Sequence, residues 1–315
     1  MKKFDFKDIN LVPKKCIVSS RSECDTSLYL GKNKFKMPIV PANMECVINE
    51  LIAIDLLKNE FFYIMHRFGD TEKFVKKMND LNLITSISIG VGQDSYNLLE
   101  NLYSQNLNID YITIDIAHGH SISMEAMIKY IKSRYPNTFI IAGNISTPEA
   151  VIDLEMWGAD ACKVGIGPGS ACTTYPATGF GSRNCQASII HECCQVAKNP
   201  IIADGGIKEP GDISKSLAMG ASMVMIGGLL SGYSDSPGDM IEYNGKKYKE
   251  FWGSASIYQS NKSNRVEGKK ILIEYKENTL IQGYQYLKEC LQSSISYGGG
   301  KDLSCFNIVD FITHT

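Results

Sequence analysis

Pro41-Ala42-Asn43-Met44-Glu45 is the turn at the end of the first strong apolar run of the chain, residues 38–44, and it contains no glycine. A doubly wound dinucleotide-binding sheet expects a glycine fingerprint at its first βα turn, where backbone must approach a pyrophosphate. Seven further apolar runs follow, at residues 61–66, 83–90, 109–119, 139–145, 159–169, 200–207 and 223–230. Rich in Ile and Val and too short for helices, they suit strands buried on both faces of a parallel sheet. Helical patterns fill most of the gaps. The expectation is therefore an α/β fold, a (β/α)8 TIM barrel, as one catalytic domain over residues 1–315.

Local signals agree with that count. Phe74, Val75, Met78 and Leu81 share a helical face, as do Met124, Met127, Ile128 and Ile131. Thr147-Pro148-Glu149 reads as a capped helix start, and Gly158 as its stop. Leu280, Tyr284, Leu287 and Leu291 mark a closing helix. Two connections exceed what a barrel needs: residues 170–199, after the sixth strand, and 231–267, after the eighth, where Asn244-Gly245 signals a hairpin turn. Long loops at the C-terminal ends of strands are expected to cover an active site. The glycines Gly298-Gly299-Gly300 suggest a mobile tail.

Composition narrows the function. Lys and Arg number 32 against 34 Asp and Glu, so a net charge of −2 gives no footprint for nucleic acid or an anionic membrane. No apolar run is long enough to span a bilayer. The ten cysteines include no C-x-x-C pair, which argues against a zinc ribbon or redox dithiol. Met1-Lys2-Lys3-Phe4-Asp5-Phe6 shows no secretory pattern, so free thiols and a cytoplasmic location are expected.

The densest chemical signal is Lys163-Val164-Gly165-Ile166-Gly167-Pro168-Gly169-Ser170-Ala171-Cys172-Thr173-Thr174. A strand runs into three glycines and then presents a cysteine among hydroxyls. A tight turn before a buried thiol would look similar, but a barrel strand end favours an exposed nucleophile. Asp204-Gly205-Gly206 and Gly227-Gly228 end the seventh and eighth strands, where barrels often hold phosphate on backbone amides. Asp204 would repel a phosphate and suits ribose hydroxyls instead. Asn43, His66, Arg67, Asp115, His118, His120 and Asn144 stand at other strand ends and read as pocket lining. Cys193-Cys194 reads as helical, with one thiol buried and no assigned role.

The cysteine loop resembles the active-site loop of the IMP dehydrogenase/GMP reductase family, and residues 38–44, 204–206 and 225–228 match that family's other motifs in order. The resemblance spans nearly the whole chain. Dehydrogenases usually insert regulatory domains after the second strand, where this chain has no room. They also carry an Arg-Tyr pair in the flap to activate water, and residues 257–265 contain none. The resemblance is therefore to the reductase branch, in its bacterial form. It implies NADPH-dependent reductive deamination of GMP to IMP and ammonia, through a cysteine thioimidate, in purine salvage.

By the same resemblance Cys172 is the nucleophile, and Thr174 with Glu267 protonates the leaving amine. Asp204, Gly205, Gly206, Gly227 and Gly228 hold ribose and phosphate, while Gly253, Ser254, Ala255, Ser256 and Gly268 border the base. Arg67 and Asp115, with Ala117 and Asn43, face the cofactor. Carbonyls of Gly165, Gly167 and Cys172 are candidate potassium ligands, and a homotetramer with the cofactor near a subunit interface is implied. Ala171 and Cys185 depart from the family pattern. A minimal IMP dehydrogenase and a non-catalytic purine nucleotide sensor stay open as alternatives.

Overall fold

The computed structural model describes residues 3–253 and 268–314. The chain opens with β1 (Ile9–Leu11) and a hairpin of β2 (Leu28–Leu30) and β3 (Asn33–Phe35). Then come β4 (Ile39–Pro41), β5 (Ser86–Ile89), β6 (Tyr111–Asp115), β7 (Phe139–Ile145), β8 (Ala161–Val164), β9 (Ile201–Asp204) and β10 (Met223–Ile226). These seven form one sheet in the order β4-β10-β9-β8-β7-β6-β5, every adjacent pair parallel. Helices follow most strands, with Thr71–Asp80, Ile122–Arg134 and Pro148–Trp157 where the apolar periodicity expects them. Thr147 Oγ1 accepts from the Ala150 amide at 3.2 Å, and Gly158 stops that helix at φ +113.

Strand alternation sorts the core into two layers. Val40, Tyr111, Ile141, Ala161, Ile202, Met223 and Met225 meet in one buried cluster on the inner face. Their chain neighbours Ile39, Ile112, Ile140, Cys162, Ala203 and Val224 join the cluster packed under the helices, with Met124, Met127, Ile128 and Ile131. Both faces are covered, as the continuous apolar runs require. The β2–β3 hairpin supplies an aromatic floor. Phe35 and Phe62 stack at 4.9 Å, Phe62 meets Tyr111 edge-on at 4.9 Å, and Tyr111 donates to the Leu30 carbonyl at 2.7 Å.

Two expectations need correction. The second apolar run forms no strand: residues 61–65 are buried, yet Met65 makes the single sheet-like bond, its amide to the Ser86 carbonyl at 3.2 Å. The physical reason lies in Tyr63, whose hydroxyl accepts from the Ser86 amide at 3.0 Å and donates to Ile84 at 2.9 Å, taking the place of a backbone ladder. The tail after Gly298-Gly299-Gly300 is docked, because β14 (Phe311–Thr313) pairs antiparallel with β1.

Both long connections carry regular elements among their described residues. Helices Thr174–Thr178 and Gln186–Val196 lie between β8 and β9. Beyond β10, β11 (Met240–Tyr243), β12 (Lys246–Trp252) and β13 (Lys270–Glu274) form an antiparallel sheet. Asn244 and Gly245 make its hairpin turn with φ +52 and +71. The closing helix, Leu280–Tyr297, buries Leu280, Tyr284, Leu287 and Leu291.

Gly283 of that helix faces Tyr233 so closely that an added Cβ would sit 2.2 Å from Cζ of the phenol ring. Alanine gains about 1 kcal/mol in helix propensity, but overpacking costs about 1–3 kcal/mol. Tyr233 is only 5% exposed and cannot swing clear. Gly283→Ala should therefore lower the urea midpoint; a rise would show that Tyr233 yields freely.

Candidate functional site

Period-two alternation sets the site. Tyr111 of β6, Ala161 of β8 and Ile202 of β9 point inward, so Asp115, Lys163 and Asp204, each two or four residues on, point inward as well. Register then aligns them: Asp115 pairs with Gly143, and Gly143 pairs with Lys163. Gly143 must be glycine, since a Cβ there would lie 2.6 Å from Cβ of Lys163. Through the space so left, the Lys163 ammonium reaches Asp115 Oδ1 at 2.9 Å and Asp204 Oδ2 at 2.7 Å.

Lys163 is 2% exposed, and the two carboxylates keep it charged. Burial alone would lower its pKa, but Asp115 and Asp204 outweigh that and raise it. Asp115 shows the reciprocal effect: burial pushes its carboxyl up, while the Lys163 charge and hydrogen bond, the Arg67 charge and the Asn43 amide bring it below the ordinary value. Asn144 completes the centre, donating to Asp204 Oδ2 at 2.7 Å and to the Gly165 carbonyl at 2.6 Å. Gln186, fully buried, braces the same strand ends through the Val164 and Asp204 carbonyls at 3.0 and 3.1 Å.

Above this centre opens a cavity of about 700 Å³. Its lining gathers most of the residues expected from the sequence: Asn43, Arg67, Asp115, Ala117, Gly165, Gly167, Cys172, Thr174, Asp204, Gly205, Gly206, Gly227, Gly228 and Gly253. Gly165 lies against the Asp204 carbonyl, where a Cβ would come within 1.9 Å. Gly205 and Gly206 turn at φ +88 and +84, a conformation that side chains other than glycine rarely adopt. Ser170 stands across from Gly228, its Oγ 3.5 Å from where a Cβ would be.

The cysteine loop carries the reactive group. Cys172 is partly exposed, its amide donates to the Gly169 carbonyl at 3.1 Å, and its thiol donates to Thr174 Oγ1 at 3.2 Å. Gly268 pairs with Cys172 in an isolated antiparallel bridge, and the Lys269 amide donates to the Ala171 carbonyl at 2.9 Å. Gly253 in turn donates to Lys269 at 3.3 Å. Both described ends of the 253–268 connection therefore dock on the cysteine loop. Ser254, Ala255, Ser256 and Glu267 lie outside the described residues.

Arg67 Nε and Asn144 Oδ1, both buried in the lining, have no partner among the described residues. Unmet groups of this kind are costly unless a ligand satisfies them. The strand-end histidines divide: His118 is exposed, and His120 pairs with Asp153 at 2.8 Å beside Trp157. Among the described residues, no group of three or more His, Cys, Asp or Glu side chains could hold a metal ion. Lys163, Ser170 and Gln186 escaped the sequence reading as site residues. A lone lysine inside Ala161-Cys162-Lys163-Val164 was the available signal, since a charge on a strand buried on both faces needs a partner.

A family model described as the IMP dehydrogenase / GMP reductase domain matches residues 3–307. The chain is 52% identical over 314 residues to a Staphylococcus epidermidis protein named GMP reductase, covering 99% of this chain and 96% of that one. It is 54% identical over 317 residues to a Helicobacter pylori protein of the same name, with coverage of 99% and 96%. The corresponding Clostridium acetobutylicum protein is 52% identical over 314 residues, with coverage of 98% and 95%.

Removing one partner of a buried ion pair costs about 3–5 kcal/mol, and Lys163→Met should fall in that range at pH 7. The depressed Asp115 pKa means that its contribution in the wild type is complete above the unfolded value of about 3.9 and lost as pH falls through the native one. In the variant Asp115 keeps its burial and loses the Lys163 charge, so its native pKa rises above the unfolded value and acidification favours the native state. The wild-type advantage in urea midpoint should be widest at pH 7 and should narrow at pH 5. A variant as stable as wild type at pH 7 would contradict the charge assignment.

Proposed function

The chain belongs to the IMP dehydrogenase/GMP reductase family, and on that premise we propose that it catalyses the reductive deamination of GMP to IMP and ammonia. The observation that carries the reading is Cys172 Sγ at 3.2 Å from Thr174 Oγ1, on a cavity whose other walls offer Asp204 and two Gly-Gly turns. Cys172 Sγ bonds to the purine carbon bearing the amino group as the thiol proton passes to Thr174 Oγ1. The carbon–nitrogen bond breaks, and ammonia leaves with a proton supplied by Thr174 paired with Glu267. This leaves a thioimidate, and splitting one hard substitution into two steps is the value of the nucleophile. NADPH, when bound, supplies the hydride that reduces that carbon, after which the carbon–sulfur bond breaks and IMP departs.

Arg67 and Asp115, with Asn43 and Ala117, suit the cofactor side. The unpartnered Arg67 Nε supports a ligand there. Asp204 accepts from ribose hydroxyls, with Gly205, Gly206, Gly227 and Gly228 around the phosphate. Ser254, Ala255 and Ser256, between Gly253 and Gly268, border the base. Potassium would be held by the carbonyls of Gly165, Gly167 and Cys172, the Gly165 oxygen keeping a lone pair beyond its bond from Asn144. No step requires it.

The wider reading follows the same lines. We read residues 1–315 as one (β/α)8 barrel domain, a reading supported by the parallel seven-stranded sheet and by the buried residues 61–65, tied to β5 through the Met65 amide. A homotetramer with the cofactor near a subunit interface belongs to the same reading. Ten unpaired thiols suit a cytoplasmic location.

The test mixes protein, GMP and NADPH, following nicotinamide absorbance and ammonia together. NADPH loss matched one-to-one by ammonia is expected, and Cys172→Ala should bind GMP while losing turnover by at least three orders of magnitude. NADH formation from IMP and NAD, with no reaction of GMP, would make the protein a minimal dehydrogenase instead.

A further inference from the structure

Among the described residues, four cations line the cavity: Arg67, Lys163, Lys208 and Lys276. Lys163 is committed to two carboxylates, and Arg67 lies within the field of Asp115. Lys208 acts on Asp5, and its amide is held by Asp212 at 2.9 Å. Lys276 differs. It follows β13, its amide donates to the Gly232 carbonyl at 2.8 Å, and its ammonium lies 4.5 Å over the Tyr233 ring. The ammonium donates to the Leu229 carbonyl at 3.3 Å, immediately after the Gly227-Gly228 turn. One carbonyl and one π face leave donors unused on a half-buried cation.

We propose that Lys276 supplies the positive charge that binds the 5′-phosphate of the purine nucleotide at the Gly227-Gly228 turn, making it a specificity residue for nucleotide over nucleoside. This rests on the reading of the cavity as a purine nucleotide site. Backbone amides offer only partial charge to a dianion. The cavity also carries Asp115, Asp204 and Glu274, which repel one. Burial lowers the pKa of Lys276, with Glu274 opposing, as expected of a cation awaiting a counter-ion. The Tyr233 ring, fixed against Gly283, holds the ammonium in place.

Calorimetry with IMP, inosine and NADPH on the wild type, Lys276→Met and Lys276→Arg tests this. Lys276→Met should weaken IMP at least tenfold, leave inosine and NADPH unchanged, and be largely restored by arginine. Unchanged IMP affinity, equal weakening of IMP and inosine, or weakening of NADPH alone would overturn the assignment. A wild type that binds neither IMP nor GMP would instead overturn the reading of the cavity, and the assignment with it. Should Lys276→Met fail to fold, acetic anhydride labelling of the wild type decides: IMP, but not inosine, should protect Lys276, and labelling indifferent to IMP would refute the role.

Discussion

The Lys163 ammonium, buried between Asp115 and Asp204 at 2.9 and 2.7 Å, is the interaction on which the site depends. Desolvating three charges is unfavourable by itself, and only close geometry with further hydrogen bonds compensates. The fold meets that demand with particular residues. Gly143 clears the path between strands, Gly165 lets β8 approach the Asp204 carbonyl, and Asn144 and Gln186 tie the strand ends together. A centre so constrained holds two carboxylates at fixed positions around one buried cation.

Upon that base the cysteine loop is fastened from outside. Residues just after the 253–268 connection bond to it, Gly268 against Cys172 and Lys269 against Ala171, and Gly253 joins them through Lys269. Covering sheet and nucleophile therefore share backbone contacts. Positioning of this sort converts a weak nucleophile into an effective one, because orientation carries much of the barrier reduction.

Much of this was legible in the sequence, for reasons that differ by element. Strands of uninterrupted Ile and Val announce burial on both faces, and Thr147-Pro148 with Gly158 marks helix ends by local chemistry alone. The Gly-Gly pairs and Cys172 sit at strand ends, so counting strands located them. Residues 61–65 misled, because a tyrosine hydroxyl can replace ladder bonds without altering the apolar pattern. The glycine-rich tail misled because its pairing partner lies at the other end of the chain, Leu11 opposite Phe311. Lys163 was hidden by its surroundings: a strand residue's partners lie on other strands, and register cannot be read from composition.

The central claim is that Cys172 forms a covalent adduct from which ammonia has already departed. Offering GMP with oxidised NADP, which can occupy the cofactor side but cannot give hydride, isolates that step. Acid quenching and peptide mass analysis should find the Cys172 peptide heavier by GMP less ammonia, with free ammonia in equal amount. An unmodified Cys172, or an adduct on another cysteine such as Cys46 or Cys185, would contradict the account.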